Sequence, residues 1–208
     1  MIGNLVLNNC LAAPDISEVL SVSRKPAGQQ HSKLTECIIS DFEDYGEIEH
    51  HFQGVKAAFF CLGAYTGQVK DDLFKKITVD YAVAFGKSLA KNSPGSTLCL
   101  LSGAGADRTE KSKTSFARYK GMAENQLAAL ELQFYSFRPA YIYPVEARKE
   151  PNIAYTISRF LYPLVKAFGP NYSIPSTELA QAMLHVGMHG ADQGTLENKD
   201  ILTIARDL

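Results

Sequence analysis

The sequence has 208 residues, of which 46% are hydrophobic and 21% charged, with a formal net charge of −1. This length suits one domain, and the near-neutral charge favours neither nucleic acid nor an anionic membrane as a partner. No apolar run reaches the roughly 18 residues that a membrane helix needs. We therefore expect a single cytoplasmic domain whose partner is a small molecule, with neither nucleic acid nor a membrane as a ligand.

The four cysteines, Cys10, Cys37, Cys61 and Cys99, lie far apart, and three of them stand in apolar runs. This pattern is typical of buried free thiols in a reducing compartment, and not of a disulfide framework or a zinc knuckle.

Short apolar runs alternate with helical patterns over the first 140 residues. The runs are continuous, as in strands that are covered on both faces. Alternation of this kind predicts an α/β fold, a doubly wound, mostly parallel sheet with helices on both faces. The predicted strands are 19–23, 36–40, 56–61, 97–102 and 133–137, and the predicted helices are 2–13, 44–52, 69–91 and 116–132.

After residue 140 the pattern becomes mainly helical, with predicted helices over 153–168, 176–189 and 200–207 and a short strand at 195–197. No linker or repeat divides the chain. We expect a single domain over residues 1–208.

The beginning of the chain is unusual for a dinucleotide fold, which starts with a strand, a glycine-rich turn and then a helix. Here the helical pattern begins at once, and Arg24 ends the next strand about 20 residues after Gly3, the spacing from the glycine turn to the ribose-reading residue. Gly3 therefore fits the last glycine of such a turn. We expect an apolar strand and a glycine turn of roughly ten residues upstream of Met1.

Several short motifs occur in one order along nearly the whole chain. They are SVSRKP (21–26), SDFED (40–44), FFCLGAYTG (59–67), VDY (79–81), LLSGAGAD (100–107), ARYKGMAENQL (117–127), SFRPAYIY (136–143) and LENKDI (196–201). Together they resemble the atypical short-chain dehydrogenases, in the branch of the HIV Tat-interacting protein and NmrA-like and epimerase-like proteins. The resemblance implies a Rossmann-like domain with an NAD(P) cofactor on residues 1–140 and a small substrate-side part on residues 141–208.

The end of the first predicted strand carries the cofactor prediction. A guanidinium at Arg24, supported by Lys25, can bind a ribose 2′-phosphate, whereas an acidic residue there would select NAD. We therefore expect NADP(H) in preference to NAD(H), although an Arg-Lys pair at this place is also compatible with ordinary solvated surface charges. The resemblance also places Asp41 and Phe42 beside the adenine, where an ordinary turn with a core phenylalanine is equally compatible.

Other cofactor residues are implied by position alone. Leu62, Gly63 and Ala64 follow an apolar strand, where a small residue lets the backbone approach the ribose and diphosphate. By resemblance, the loop of Pro139, Ala140 and Tyr141 lies beside the nicotinamide.

The catalytic residues of the family are only partly present. Lys120 matches the lysine of the Tyr-x-x-x-Lys helix, but Phe116 stands four residues earlier and has no transferable proton. Tyr119 projects about 100° away from Lys120 around a helix. Ser102 follows a strand in the catalytic-serine region, where a structural hydroxyl is equally compatible. The candidate catalytic residues are thus Lys120, Tyr119 and Ser102.

Two functions stay open from the sequence. One is an NADP(H)-dependent oxidoreductase or epimerase-like enzyme acting on a small carbonyl or hydroxyl compound. The other is a catalytically degenerate NADP(H) sensor that binds a protein partner. Either could be a monomer or a homodimer. His185 and His189, four residues apart, lack a third metal ligand, so we expect no metal.

Overall fold

The computed structural model describes residues 1–64, 67–145 and 172–208. The helix predicted at 153–168 lies outside this part. In chain order the elements are α1 (Ile2–Ala12), β1 (Val19–Ser23), β2 (Leu34–Ile38), β3 (Ala57–Phe60), α2 (Asp71–Lys75), α3 (Tyr81–Asn92), β4 (Thr97–Leu101), α4 (Ser115–Ala128), β5 (Gln133–Arg138), β6 (Tyr141–Tyr143), β7 (Ser173–Pro175), α5 (Ser176–His189), β8 (Thr195–Glu197) and α6 (Asn198–Arg206).

Parallel strand pairs form the whole described sheet structure. The largest piece has the order β3-β4-β5-β8, and two smaller pieces pair β1 with β2 and β6 with β7. Parallel neighbours need crossover connections, which the helices supply. The predicted α/β fold with a parallel sheet and flanking helices is therefore confirmed.

Strand β4 shows how the sheet is covered on both faces. Leu98 and Leu100 pack with residues of α3 and α4, whereas Cys99 between them packs with residues of α1 and α5. This alternation follows from the two-residue period of a strand. Glycine at position 187 lets α5 lie close to the sheet, because a Cβ there would lie 2.4 Å from Cζ of Phe59.

The β1–β2 piece is separate from the larger sheet. Among the described residues β1 pairs only with β2, and β3 pairs only with β4. All five residues of β1 are half-buried, whereas four of the five residues of β4 are buried.

Three predicted elements need correction. Residues 44–52 do not form an α-helix; only Glu49–Phe52 form a 3-10 turn, because the Asp44 carboxylate accepts the Gly46 N–H in a turn just before it. The helix predicted at 69–91 is interrupted by a π-helical segment, Lys76–Asp80, and the helix predicted to end at 132 ends at Ala128.

The described part after residue 140 contains the helices predicted at 176–189 and 200–207, as α5 and α6. It also contains β6 and β7, which the sequence did not predict and which pair in parallel although they are only three residues long. Strands this short have too few residues to show a two-residue period in the sequence. No helix in the described ranges is both long and apolar enough to cross a membrane.

Candidate functional site

The loops after β3, β4 and β5 meet at one edge of the larger sheet, since parallel strands end at the same side. The N–H of Ser102 donates to the carbonyl of Phe137 at 2.8 Å, and the N–H of Ala104 donates to the carbonyl of Pro139 at 2.9 Å. These bonds join the loop after β4 to the loop after β5. Such an edge is where open parallel sheets bind ligands.

Helix α1 begins beside this edge. A Cβ at Gly3 would lie 3.4 Å from Cβ of Cys61, the first residue after β3. Met1 precedes α1 and gives it no side-chain cap, so the N–H groups of the first turn can bind an anion. Gly63 is exposed, and a Cβ on it would meet nothing within 4 Å. Free donors and open space fit the diphosphate of a dinucleotide.

Arg24 and Lys25 are exposed directly after β1. In the described part of the chain neither side chain has a hydrogen-bond or ion-pair partner, while the Ser23 hydroxyl donates to the Lys25 carbonyl at 2.6 Å and fixes the turn. Two unpaired cations at a strand end can bind a phosphate without first breaking an internal ion pair.

Asp41 and Phe42 are engaged within the protein. The Asp41 carboxylate accepts the N–H of Glu43 at 2.9 Å, and Phe42 is 6% exposed, with its ring 5.6 Å from that of Tyr81. Phe42 thus has a core position, which leaves little ring surface for a base. Their contact with adenine stays a prediction.

Lys120 lies on the buried face of α4, 9% exposed, and its Nζ donates to the Leu101 carbonyl at 2.9 Å. Burial lowers the pKa of Lys120 to about 8, although the charge of Glu124 and the neighbouring Cys61 oppose this shift. An ammonium with this pKa can exchange a proton close to neutral pH. The lysine is therefore held at the end of β4, and its role as a catalytic or cofactor-binding residue stays a prediction.

Tyr119 is directed to a different neighbour. Its hydroxyl donates to Oδ2 of Asp71 at 2.6 Å, and the Arg118 guanidinium stacks 4.9 Å from its ring centroid. The tyrosine thus ties α4 to the first residue of α2. Phe116 occupies the position expected for the catalytic tyrosine, with its ring so close to Gly103 that a Cβ there would lie 2.6 Å from Cζ.

Ser102 belongs to a buried polar network that the sequence analysis did not identify. Its hydroxyl donates to Oε1 of Glu124 at 2.6 Å, and Glu124 also binds Ser136 and Arg138. The sequence could have indicated Glu124 as a residue near the site, because it is four residues after Lys120 and so lies on the same helix face. Ser102 is near the site, but its proton points inward.

The loop of Pro139, Ala140 and Tyr141 is held by a second residue that the sequence analysis missed. Oδ1 of Asn198 accepts the Ala140 N–H at 2.8 Å, and Nδ2 of Asn198 donates to the Ser173 carbonyl at 3.1 Å. Asn198 is 4% exposed. It links the end of β5 to β7 and so fixes the loop predicted to lie beside the nicotinamide.

No family model matches the sequence, and no curated protein matches it. Solved structures do share the fold. The Bordetella bronchiseptica enzyme WbmG, in complex with NAD and UDP, is 15% identical, with a TM-score of 0.65 over 100% of this chain and 74% of that one. A putative NAD-dependent epimerase/dehydratase from Bacillus halodurans is 14% identical, with a TM-score of 0.66 over 100% of this chain and 95% of that one.

UDP-glucose 4-epimerase from Thermotoga maritima, with UDP-glucose, is 15% identical, with a TM-score of 0.67 over 100% of this chain and 79% of that one. At these identities the likeness shows the fold alone. This chain has the Rossmann-like fold of NAD-dependent epimerases and dehydratases.

Proposed function

We propose that this protein binds NADP(H) and belongs to the short-chain dehydrogenase and epimerase superfamily, in its atypical branch. The fold supports a nicotinamide dinucleotide as the ligand. The uncapped start of α1 and the open space over Gly63 would hold the diphosphate, and the loop at Ala140 would lie by the nicotinamide.

The pair of Arg24 and Lys25, exposed and without a partner among the described residues, carries the choice of NADP(H) over NAD(H). A guanidinium that forks onto a 2′-phosphate contributes roughly 1.5–3 kcal/mol, which is about tenfold or more in affinity. No carboxylate follows β1 directly to accept the two hydroxyls of an NAD ribose.

Titration of the protein with NADPH and NADH tests this proposal. We expect NADPH to bind at least about tenfold more tightly, and Arg24→Ala to abolish the difference while leaving NADH affinity unchanged. Lys56→Ala is a matched control, because Lys56 is also exposed but precedes β3 at the opposite edge of the sheet. Equal affinities for the two dinucleotides in the parent protein would contradict the proposal.

Between the two functions left open by the sequence, the side-chain geometry favours the catalytically degenerate NADP(H) sensor. A proton donor in the family's tyrosine position is missing, since Phe116 stands there. Tyr119 donates to Asp71, and Ser102 donates to Glu124. Neither hydroxyl has its proton free for a substrate carbonyl in this arrangement.

The second candidate is an oxidoreductase or epimerase-like enzyme acting on a small carbonyl or hydroxyl compound. Lys120 favours it, because its buried ammonium lies at the end of β4 and retains two N–H protons beyond the one given to Leu101. The bound dinucleotide would supply hydride chemistry. Lys120 would hold the ribose or donate a proton from Nζ. NADPH consumption with a panel of carbonyl compounds distinguishes this candidate from the sensor.

A further inference from the structure

The end of α5 carries three metal-ligating side chains that the proposed dinucleotide site does not use. His185, Met188 and His189 stand at positions i, i+3 and i+4 of this helix, a spacing that places side chains next to one another on one face. The ring centroids of His185 and His189 are 4.8 Å apart, with an angle of 48° between the ring planes. Two imidazoles and one thioether therefore meet at one place on the helix.

These side chains reach solvent and are not engaged elsewhere in the protein. Met188 is 40% exposed and His189 is exposed, whereas His185 is half-buried. Among the described residues neither imidazole has a hydrogen-bond or ion-pair partner, and each contacts the ring of the other. Met183, on the other face of the helix, is 0% exposed and belongs to the core. The nitrogen lone pairs and the Met188 sulfur can therefore bind an ion without first breaking an internal contact.

The opposite face of α5 holds this arrangement in place. Leu179, Met183 and Val186 are completely buried against the sheet and the neighbouring helices. The helix ends at His189, where the N–H of Gly190 donates to the Val186 carbonyl at 2.8 Å. Ligands on a fixed helix lose little conformational entropy when they bind an ion. The last helical turn also carries the negative end of the helix dipole, which favours a cation.

The donor atoms indicate which ion fits. A thioether is a soft ligand that favours Cu(I), whereas Ca²⁺ and Mg²⁺ need oxygen ligands and structural zinc sites use four ligands without a thioether. In residues 1–64, 67–145 and 172–208 no three histidine, cysteine, aspartate or glutamate side chains are grouped to hold a metal ion. We expected no metal from two histidines that lack a third ligand, and the thioether of Met188 supplies that ligand.

We propose that His185, Met188 and His189 form a Cu(I) site on α5, with one nitrogen of each imidazole and the methionine sulfur as ligands. This site is separate from the dinucleotide site. A Cβ at Gly190 would lie 3.0 Å from the hydroxyl of Tyr135, which is in the first half of β5, whereas the loop predicted to lie beside the nicotinamide follows the end of β5. The Cu(I) site therefore adds a function that does not depend on NADP(H) binding.

The test is an anaerobic titration of the dinucleotide-free protein with Cu(I) in competition with the coloured chelator bicinchoninate. We expect the parent protein to withdraw a single Cu(I) per chain from the chelator. Met188→Leu keeps the size of the side chain but has no sulfur, and it should lower the affinity by at least about tenfold. The double variant His185→Asn/His189→Asn should lose the site. X-ray absorption at the copper edge should show a sulfur neighbour in the parent protein that is missing in Met188→Leu.

The pair of His50 and His51 provides the matched control. Both residues are exposed, and their rings are 4.1 Å apart, but they are adjacent in a 3-10 turn with no methionine near them in the sequence. His50→Asn/His51→Asn should leave the Cu(I) affinity unchanged.

Three results would overturn the Cu(I) site. One is a parent protein that does not compete with the chelator. Another is unchanged binding in His185→Asn/His189→Asn, which would place the ion on the free cysteines. The last is equal affinity in Met188→Leu and the parent protein, which would show that the thioether is not a ligand. Because no dinucleotide is present, each result is independent of whether NADPH binds.

Discussion

The polar groups at the end of β1 and those at the end of β4 lie in opposite environments. At the end of β1, Arg24 and Lys25 are exposed and have no partner among the described residues. At the end of β4, Ser102, Lys120 and Glu124 are all buried and hydrogen-bonded to other residues of the protein. Exposed charged groups can stay hydrated without a protein partner, whereas groups inside a sheet must be satisfied internally because unpaired buried polar atoms are costly.

This contrast has a functional meaning. The β1 side can gain or lose a ligand contact without affecting the fold, so we expect its variants to change affinity alone. On the β4 side the same residues serve packing, burial and the candidate site, so we expect stability and binding to change together. Three variants test this difference, from the largest expected effect to the smallest.

Gly121→Ala should be the most damaging change on the β4 side. A Cβ at Gly121 would lie 1.8 Å from the carbonyl oxygen of Asp107, a backbone atom that cannot move aside as a flexible side chain can. We expect the free energy of unfolding to fall by about 3 kcal/mol or more, measured by urea denaturation. Gly63→Ala is the control, since it has open space and should leave stability unchanged while weakening NADPH binding.

Equal stabilities for Gly121→Ala and Gly63→Ala would contradict the close contact between the loop at Asp107 and α4.

Lys120→Met should stabilise the protein while weakening NADPH binding. The pKa of Lys120 in the folded state is about 8, below its ordinary value of 10.5, so burial of the charge costs stability at pH 7. This pKa difference means that the buried charge lowers the free energy of unfolding by about 3 kcal/mol at pH 7. The variant regains this amount but loses about 1 kcal/mol with the hydrogen bond to Leu101. We expect a higher free energy of unfolding in the variant at pH 7.

The sign of the Lys120 contribution to stability can be read from the pH dependence of the free energy of unfolding. Between pH 8 and 10.5 the unfolded chain binds the Lys120 proton and the folded protein does not, so parental stability rises with pH in that window. In Lys120→Met this contribution should vanish, so the advantage of the variant at pH 7 should be lost before pH 10.5. Urea denaturation at pH 7 and pH 10 measures it. A variant that is less stable at both values would show that Lys120 is needed for packing.

Tyr119→Phe should have the smallest effect. It removes the hydroxyl that donates to Asp71 at 2.6 Å but keeps the ring against Phe74. Loss of one such hydrogen bond should lower the melting temperature by roughly 2–4 °C. NADPH affinity should not change, because the hydroxyl is bound to α2. A loss of NADPH turnover without a change in melting temperature would instead support Tyr119 as a proton donor.

The sequence predicted the described strands well where they are apolar on both sides. Residues 97–102 read as a continuous apolar run, and β4 was indeed found buried between two helical layers. The predicted helix at 44–52 was wrong. The Asp44 carboxylate accepts the Gly46 N–H and so stabilises a turn that competes with helical hydrogen bonding. The pair β6 and β7 exists through pairing between distant segments, which no local pattern encodes.

For the candidate site, the sequence by itself determined which residues follow each strand: Arg24 after β1, Gly63 after β3 and Ser102 after β4. These positions depend only on the alternation of strands and helices, which the periodicity of apolar residues predicts. Only the tertiary structure decided how the side chains are used. Ser102 and Tyr119 donate to Glu124 and Asp71, residues 22 and 48 positions away. Hydrogen bonds between separate elements arise from packing, and packing settles which polar groups stay free for a ligand.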